Sequence, residues 1–247
     1  MSDRNTMKNR IRQVLNAIEF SAKQAGRDPS KIKLVGVSKR HPAEAIVEAV
    51  RNGLLNIGEN RVQEAEEKLP VVKELLKREG LDYDAITWHM VGKLQTNKIA
   101  RAVALFDVIQ SVDSVKLAQK ISSIAGDLGK TLDILVEVNV SGEISKAGIQ
   151  PEGLSDLVGE IATLKNIRLN GLMTIGPLTD DKNLIRRSFD SLRELRTELE
   201  ARFSASIIGE ELSMGMSDDF PIAISTGATI IRIGTAIFGQ RPPAINL

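Results

Sequence analysis

Cysteine is absent from the 247 residues, and histidine occurs only twice, as His41 and His89. These two scarcities exclude disulfides, thiolate nucleophiles, iron–sulfur clusters and structural zinc sites. Aromatic residues are few, with one Trp, one Tyr and six Phe. No apolar run approaches the ~20 residues of a membrane-spanning helix. Neither sign of charge dominates: Lys and Arg number 33 against 32 acids, a formal charge of +1. The chain as a whole therefore has no field with which to grip nucleic acid or an anionic bilayer. What remains, 42% hydrophobic and 26% charged residues, is the mixture of an ordinary soluble globular protein. The N-terminus lacks a signal-peptide core. Its basic character resembles a mitochondrial leader, but Asp3, Glu19 and the spacing Ile11, Val14, Leu15, Ile18 point to a core-docking helix. The expected compartment is the cytoplasm.

Short β-branched runs alternate with longer amphipathic stretches along the chain. Strands are expected at 32–38, 54–58, 85–91, 107–111, 132–139, 167–174, 212–214 and 229–233. Helices are expected at 43–51 behind Pro42, then at 61–78, 97–105, 114–128, 151–164, 182–203, 218–225 and from 236. Parallel strands need crossover helices, so about eight βα units predict a parallel α/β sheet. Eight units in roughly 220 residues favour closure into a (β/α)8 TIM barrel over an open doubly wound sheet. One domain is expected over 1–247, with residues 1–30 forming an extra helix packed on the barrel.

Active sites of such barrels lie at the C-terminal ends of the strands. The first strand delivers Ser38, Lys39, Arg40 and His41 there, and the second Gly58, Glu59 and Asn60. The last two deliver 213–217 and Arg232, Gly234 and Thr235. Lys39 is either a solvated rim charge or an amine whose proton is displaced by burial and the neighbouring Arg40, and which then forms a Schiff base. Opposite it, the Gly- and Ser-bearing loops after the seventh and eighth strands offer backbone N–H groups and hydroxyls of the kind that bind phosphate. A reactive amine facing a phosphate cradle points to a phosphorylated aldehyde, foremost pyridoxal 5′-phosphate (PLP). Arg232, flanked by Ile231 and Ile233, points into the barrel by the two-residue period of a strand. It is either a buried ion pair with a carboxylate such as Glu137 or a donor to a pyridine nitrogen, which it would keep neutral.

Longer stretches carry a family resemblance. They are Val-Ser-Lys at 37–39, Gly-Glu-Asn-Arg-Val-Gln-Glu at 58–64, and Trp-His-Met-Val-Gly-Lys-Leu-Gln-Thr-Asn-Lys at 88–98. Val-Asn-Val-Ser at 138–141 follows with Lys146 and Gly148, then Gly-Leu-Met at 171–173. Leu-Ser-Met-Gly-Met-Ser at 212–217 with Asp219-Phe220, and Arg-Ile-Gly-Thr-Ala-Ile-Phe-Gly at 232–239, complete the set. From about Ile32 to Arg241 the sequence resembles the pyridoxal phosphate homeostasis proteins, barrels similar to the N-terminal domain of alanine racemase (PLP fold type III). The resemblance implies Lys39 as the Schiff-base lysine, Arg232 near the pyridine nitrogen and Asn60 near the cofactor ring. It further implies phosphate contacts from Ser213, Gly234 and Thr235 and from the Gly215 backbone. His89 reads as a core histidine, and Met214 and Met216 as packing residues.

Three functions fit these residues: a protein that holds and delivers PLP without robust catalysis, a PLP-dependent amino acid racemase, and a Schiff-base aldolase. The aldolase reading suffers from the lack of lysine in the sixth strand. Racemisation needs a second acid/base opposite Lys39, and the lone tyrosine, Tyr83, precedes the third strand, at the end expected to face away. His89 or an ordered water is the remaining substitute. Binding and homeostasis of PLP is the favoured expectation, in a monomer whose partners are PLP itself and transiently the apo forms of PLP-dependent enzymes, with no metal, nucleic acid or membrane.

Overall fold

Val, Ile and Leu runs form eight parallel strands in the computed structural model, which describes residues 6–143, 146–203 and 207–240; Asp3 and Arg241 lie outside them. The strands are β1 (Lys33–Val37), β2 (Asn56–Glu59), β3 (Thr87–Met90), β4 (Val108–Val112), β5 (Leu132–Glu137), β6 (Ile167–Met173), β7 (Glu211–Ser213) and β8 (Ile230–Ile233). They close in sequence order into a barrel, the seam being β8 against β1 with Lys33 opposite Ile230 and Val35 opposite Arg232. This is the expected (β/α)8 TIM barrel. The crossover helices are α2 (Ala43–Arg51), α3 (Val62–Arg78), α4 (Ile99–Leu105), α5 (Val115–Asp127), α6 (Pro151–Ile161), α7 (Lys182–Phe203), α8 (Phe220–Ser225) and α9 (Thr235–Phe238), preceded by α1 (Met7–Gln24). Two short 3-10 turns, Pro29–Lys31 and Thr96–Lys98, lead into β1 and α4.

Thr6 caps α1 by accepting the Asn9 N–H, and the helix buries Met7, Ile11, Val14, Ile18 and Ala22. Each large side chain on that stripe contributes about 1.5–3 kcal/mol. Leu15, expected on the same stripe, is 47% exposed instead, because the buried line runs through 7, 11, 14, 18 and 22 and leaves 15 at its edge. Two arginines tie this segment to the last two helical units. Arg10 donates to the Ile237 carbonyl (2.6 Å), and Arg27 to those of Ile224 and Ala228 (2.7 Å each). The N-terminal helix thus braces α8 and α9, the elements that follow the two loops expected to bind phosphate.

Every strand end falls within two residues of expectation. One of the two-residue shifts is at the start of β2, expected at 54–58 and found at Asn56–Glu59. Leu54 packs against the backbone of Gly36 before the strand begins, and the polar ends Asn56 and Glu59 enter the sheet because each has a buried partner. Between strands and helices lies the continuous large apolar core. Inside the barrel a small separate plug of Val35, Val108, Leu135, Met173 and Ile230 fills the space.

Candidate functional site

The C-terminal mouth of the barrel opens a cavity of ≈ 630 Å³, within the size range of small-ligand sites. Lys39 from the β1 turn, Asn60 from the β2 loop, and Arg232, Gly234 and Thr235 from β8 and its loop all line it. The rest of the wall is Ser217 with Val37, Val91, Ile175, Asp218 and Ala236, and sequence reasoning did not single out these last five as site residues. Apart from Ser217, whose hydroxyl belongs to the expected loop, no periodicity distinguishes these from ordinary strand and loop residues. Met216, expected as packing, lines the mouth and is 40% exposed.

Arg232 is buried by the inward alternation of β8. Its guanidinium donates to Ser213 Oγ (2.6 Å) and to the Thr174 carbonyl (2.8 Å). Burial lowers its pKa to about 10, with Glu137 and then Asp219 opposing that fall, so it stays protonated at neutral pH. Of the two sequence readings of Arg232, the direct contacts are with neutral acceptors, and Glu137 acts through space. The Glu137 carboxyl is itself pushed up to about 7 by burial, which outweighs the pull of Arg232.

Ser213 and Gly215 stand differently from the other expected site residues, since neither lines the cavity. Ser213 is fully buried beneath Arg232. Its hydroxyl accepts from Arg232 and donates to Gln110 Oε1 (2.6 Å). The Gly215 carbonyl accepts the Arg232 N–H (3.1 Å). Gly215 has φ +95°, and a Cβ there would come within 2.6 Å of Ala223 Cβ in α8. Only glycine suits that combination of left-handed backbone and close approach.

From Ser213 the hydrogen bonds run on across the barrel. Gln110 Nε2 meets His89 Nδ1 (3.0 Å), and His89 Nε2 meets Asn56 Oδ1 (3.2 Å). With the Gln110 oxygen taken by Ser213, its amide N–H donates to Nδ1, so the imidazole proton sits on Nε2. Desolvation, with a smaller contribution from Lys33, pushes His89 down to about 3. His89 is thus a neutral core histidine, as expected, with both nitrogens committed and no place in the cavity wall. Tyr83 packs on Trp88 at a ring separation of 5.9 Å, and precedes β3 at the end of the barrel away from the mouth.

A second cavity of ≈ 780 Å³ adjoins the first and shares Asn60 with it. It is lined by the 60–64 loop, Glu67, Met90 and the 92–98 loop, and of the expected site residues holds Asn60 alone. Among the described residues no group of three or more His, Asp or Glu is placed to hold a metal ion. Among them, too, no helix is long and apolar enough to cross a membrane.

The residues present suit PLP: an amine and a buried cation share a cavity of the right size, beside a Gly-Thr pair at the start of a helix. Comparison with known proteins agrees. Residues 15–242 match the family described as alanine racemase, N-terminal domain. The pyridoxal phosphate homeostasis protein of Aquifex aeolicus is 41% identical over 232 residues, covering 94% of this chain and 97% of that protein. PipY of Synechococcus elongatus, solved with PLP bound, is 38% identical with a TM-score of 0.77, covering 90% of this chain and all of that one. Alanine racemase of Clostridium difficile shares the fold, with a TM-score of 0.68 at 20% identity over 97% of this chain and 58% of its own. The chain belongs to the family of the pyridoxal phosphate homeostasis proteins, built on the barrel of the alanine racemase N-terminal domain.

Proposed function

We propose that this protein binds PLP in the cavity at the barrel mouth, as a Schiff base on Lys39, and serves to hold and deliver the cofactor rather than to turn over amino acids. The observation that carries the reading is that Lys39, Arg232, Gly234 and Thr235 line one cavity. Condensation of the Lys39 amine with the aldehyde forms the C=N bond and releases water. Arg232, protonated and fixed, donates to the pyridine nitrogen and keeps it unprotonated, which weakens the ring as an electron sink. Gly234 and Thr235 give backbone and hydroxyl donors to the phosphate. Ser213 and Gly215 serve the site by holding Arg232, and Asn60 lies beside the ring.

Two features favour holding over racemisation. The mouth is accessible, with Thr235 and Ala236 exposed and Lys39 half-buried, whereas controlled carbanion chemistry calls for a closed, dry site. The second proton-transferring group is also wanting among the described residues considered for it: Tyr83 is at the wrong end and His89 is sealed in the barrel. The protein acts as one domain, as a monomer in the cytoplasm, with apo forms of PLP-dependent enzymes as transient partners.

Borohydride reduction of the PLP-loaded protein followed by peptide mapping is expected to place the label on Lys39. Lys39→Ala loses the imine absorbance and keeps weaker binding through the phosphate. A wild-type label on another lysine would overturn the assignment. In heavy water, the loaded protein is expected to leave the Cα–H signals of the common amino acids intact by proton NMR. Exchange that requires Lys39 would restore the racemase.

A further inference from the structure

Two acids of the 58–64 motif, Glu59 and Glu64, have no part in the cofactor reading. Both face the turn that carries Lys39. The Ser38 carbonyl accepts the His41 N–H at 3.0 Å, closing a turn with Lys39 and Arg40 at its centre. Arg40 has φ +64°, the one non-glycine residue with positive φ among the described residues. A side-chain-bearing residue is disfavoured in that conformation and persists there only when its surroundings hold it.

Those surroundings are ionic. Lys68, on α3 one turn beyond Glu64, is mostly buried and spends its ammonium on three acceptors. These are the Ser38 carbonyl (2.9 Å), Glu59 Oε1 (2.7 Å) and Glu64 Oε1 (2.7 Å). Glu59 is fully buried and also accepts the Ser38 hydroxyl at 2.7 Å. Glu64 accepts the Arg40 N–H. The main chain on both sides of Lys39 is therefore gripped, at Ser38 by Lys68 and at Arg40 by Glu64. Burying Glu59 is costly, since its second oxygen has no hydrogen-bond partner and burial holds its carboxyl above the usual range. A buried ionic cluster of this kind is weak evidence for stability and better explained by the geometry it enforces.

We propose that Lys68, with Glu59 and Glu64, is a positioning clamp that holds the 38–41 turn in its left-handed form and so presents the Lys39 amine to the aldehyde. This rests on the reading of Lys39 as the imine lysine. The clamp touches neither cofactor nor reacting atoms. It sets how fast the C=N bond forms and how long it lasts, because small misplacement of a reacting group costs rate steeply.

The test separates imine formation from binding as such. Wild type and Lys68→Met are mixed with PLP, and the visible absorbance of the imine is followed by stopped flow. In parallel, each is titrated with pyridoxine 5′-phosphate, whose 4′-alcohol cannot condense with an amine. Lys68→Met is expected to slow imine formation about tenfold or more, with affinity for the alcohol analogue within about twofold of wild type. The double variant Glu59→Gln with Lys68→Met removes both buried charges and keeps an acceptor for Ser38; it carries the test if the single variant folds poorly, with the same expectation. An unchanged imine rate in a folded variant would overturn the clamp, as would an equal loss of analogue affinity, the mark of a merely structural role. Failure of the underlying reading looks different: wild type itself would form no Lys39-dependent imine.

Discussion

Lys39 and Arg232 line the same cavity and are held in opposite ways. Arg232 is gripped at its charged head by neutral groups, Ser213 and the Thr174 carbonyl, at the top of a column that runs through Gln110 and His89 to Asn56. The contacts of the Lys68 clamp fall on the main chain on either side of Lys39, and they are ionic. On the proposed function, the difference follows from what each cation would do. A permanent donor is best fixed by the head, in a medium too dry to let it move. An amine that is to condense has to be aimed, and the clamp applies its force to the chain that carries it.

The column breaks most severely at its top. Arg232→Met leaves the Ser213 hydroxyl and the Thr174 carbonyl short of a buried donor and removes the cation that Glu137 senses. The expected loss is about 3 kcal/mol in urea unfolding at neutral pH, in line with unpaired buried polar groups. A loss below about 1 kcal/mol would mean that the column is not a structural unit. His89 gives a smaller, pH-dependent effect. Its folded pKa, about 3, lies below the ordinary value of 6.5, so between these values the unfolded chain binds more protons and stability falls as pH falls. Each unit is worth about 1.4 kcal/mol, giving a cost of about 2 kcal/mol by pH 5. Glu137, raised to about 7, runs in the opposite sense, which is why wild type and His89→Gln must be compared at both pH 7.5 and pH 5. The variant is expected to lack the His89 contribution; identical pH dependence in the two would show that the imidazole charges freely in the folded state.

The clamp and the column were unequally legible. Barrel closure could be read from eight β-branched runs, because burial on both faces of a parallel sheet leaves an apolar signature in each strand. Polar strand residues leave no such mark. Asn56 and Gln110 fall inside expected strands and Glu59 at the end of one, but no pattern names their partners until the sheet register supplies them, and Gln110 meets Ser213 across 103 positions of sequence. Ser213 was expected as a phosphate contact, and its place as the support beneath Arg232 was not legible, since its depth depends on where β7 ends relative to β8. Lys39 stood out because a strand-end lysine is chemically distinctive. Its clamp did not, because Glu64 and Lys68, four apart on a helix, look like any exposed ion pair of a helix surface.

Thr235 offers the smallest effect and the sharpest contrast with the buried column. It sits exposed at the start of α9 and lines the cavity, so Thr235→Val is expected to change stability by no more than about 0.5 kcal/mol. On the proposed function its hydroxyl donates to the phosphate, so the variant is expected to lose about 1.5 kcal/mol, or roughly tenfold in affinity for PLP by equilibrium dialysis. Pyridoxal, which has the aldehyde and lacks the phosphate, makes the comparison decisive. Its affinity should be the same for wild type and variant, because nothing at the aldehyde end changes. Equal weakening toward both ligands would instead place Thr235 against the ring and move the phosphate to the other side of the mouth, toward Ser217 and the 215–218 loop.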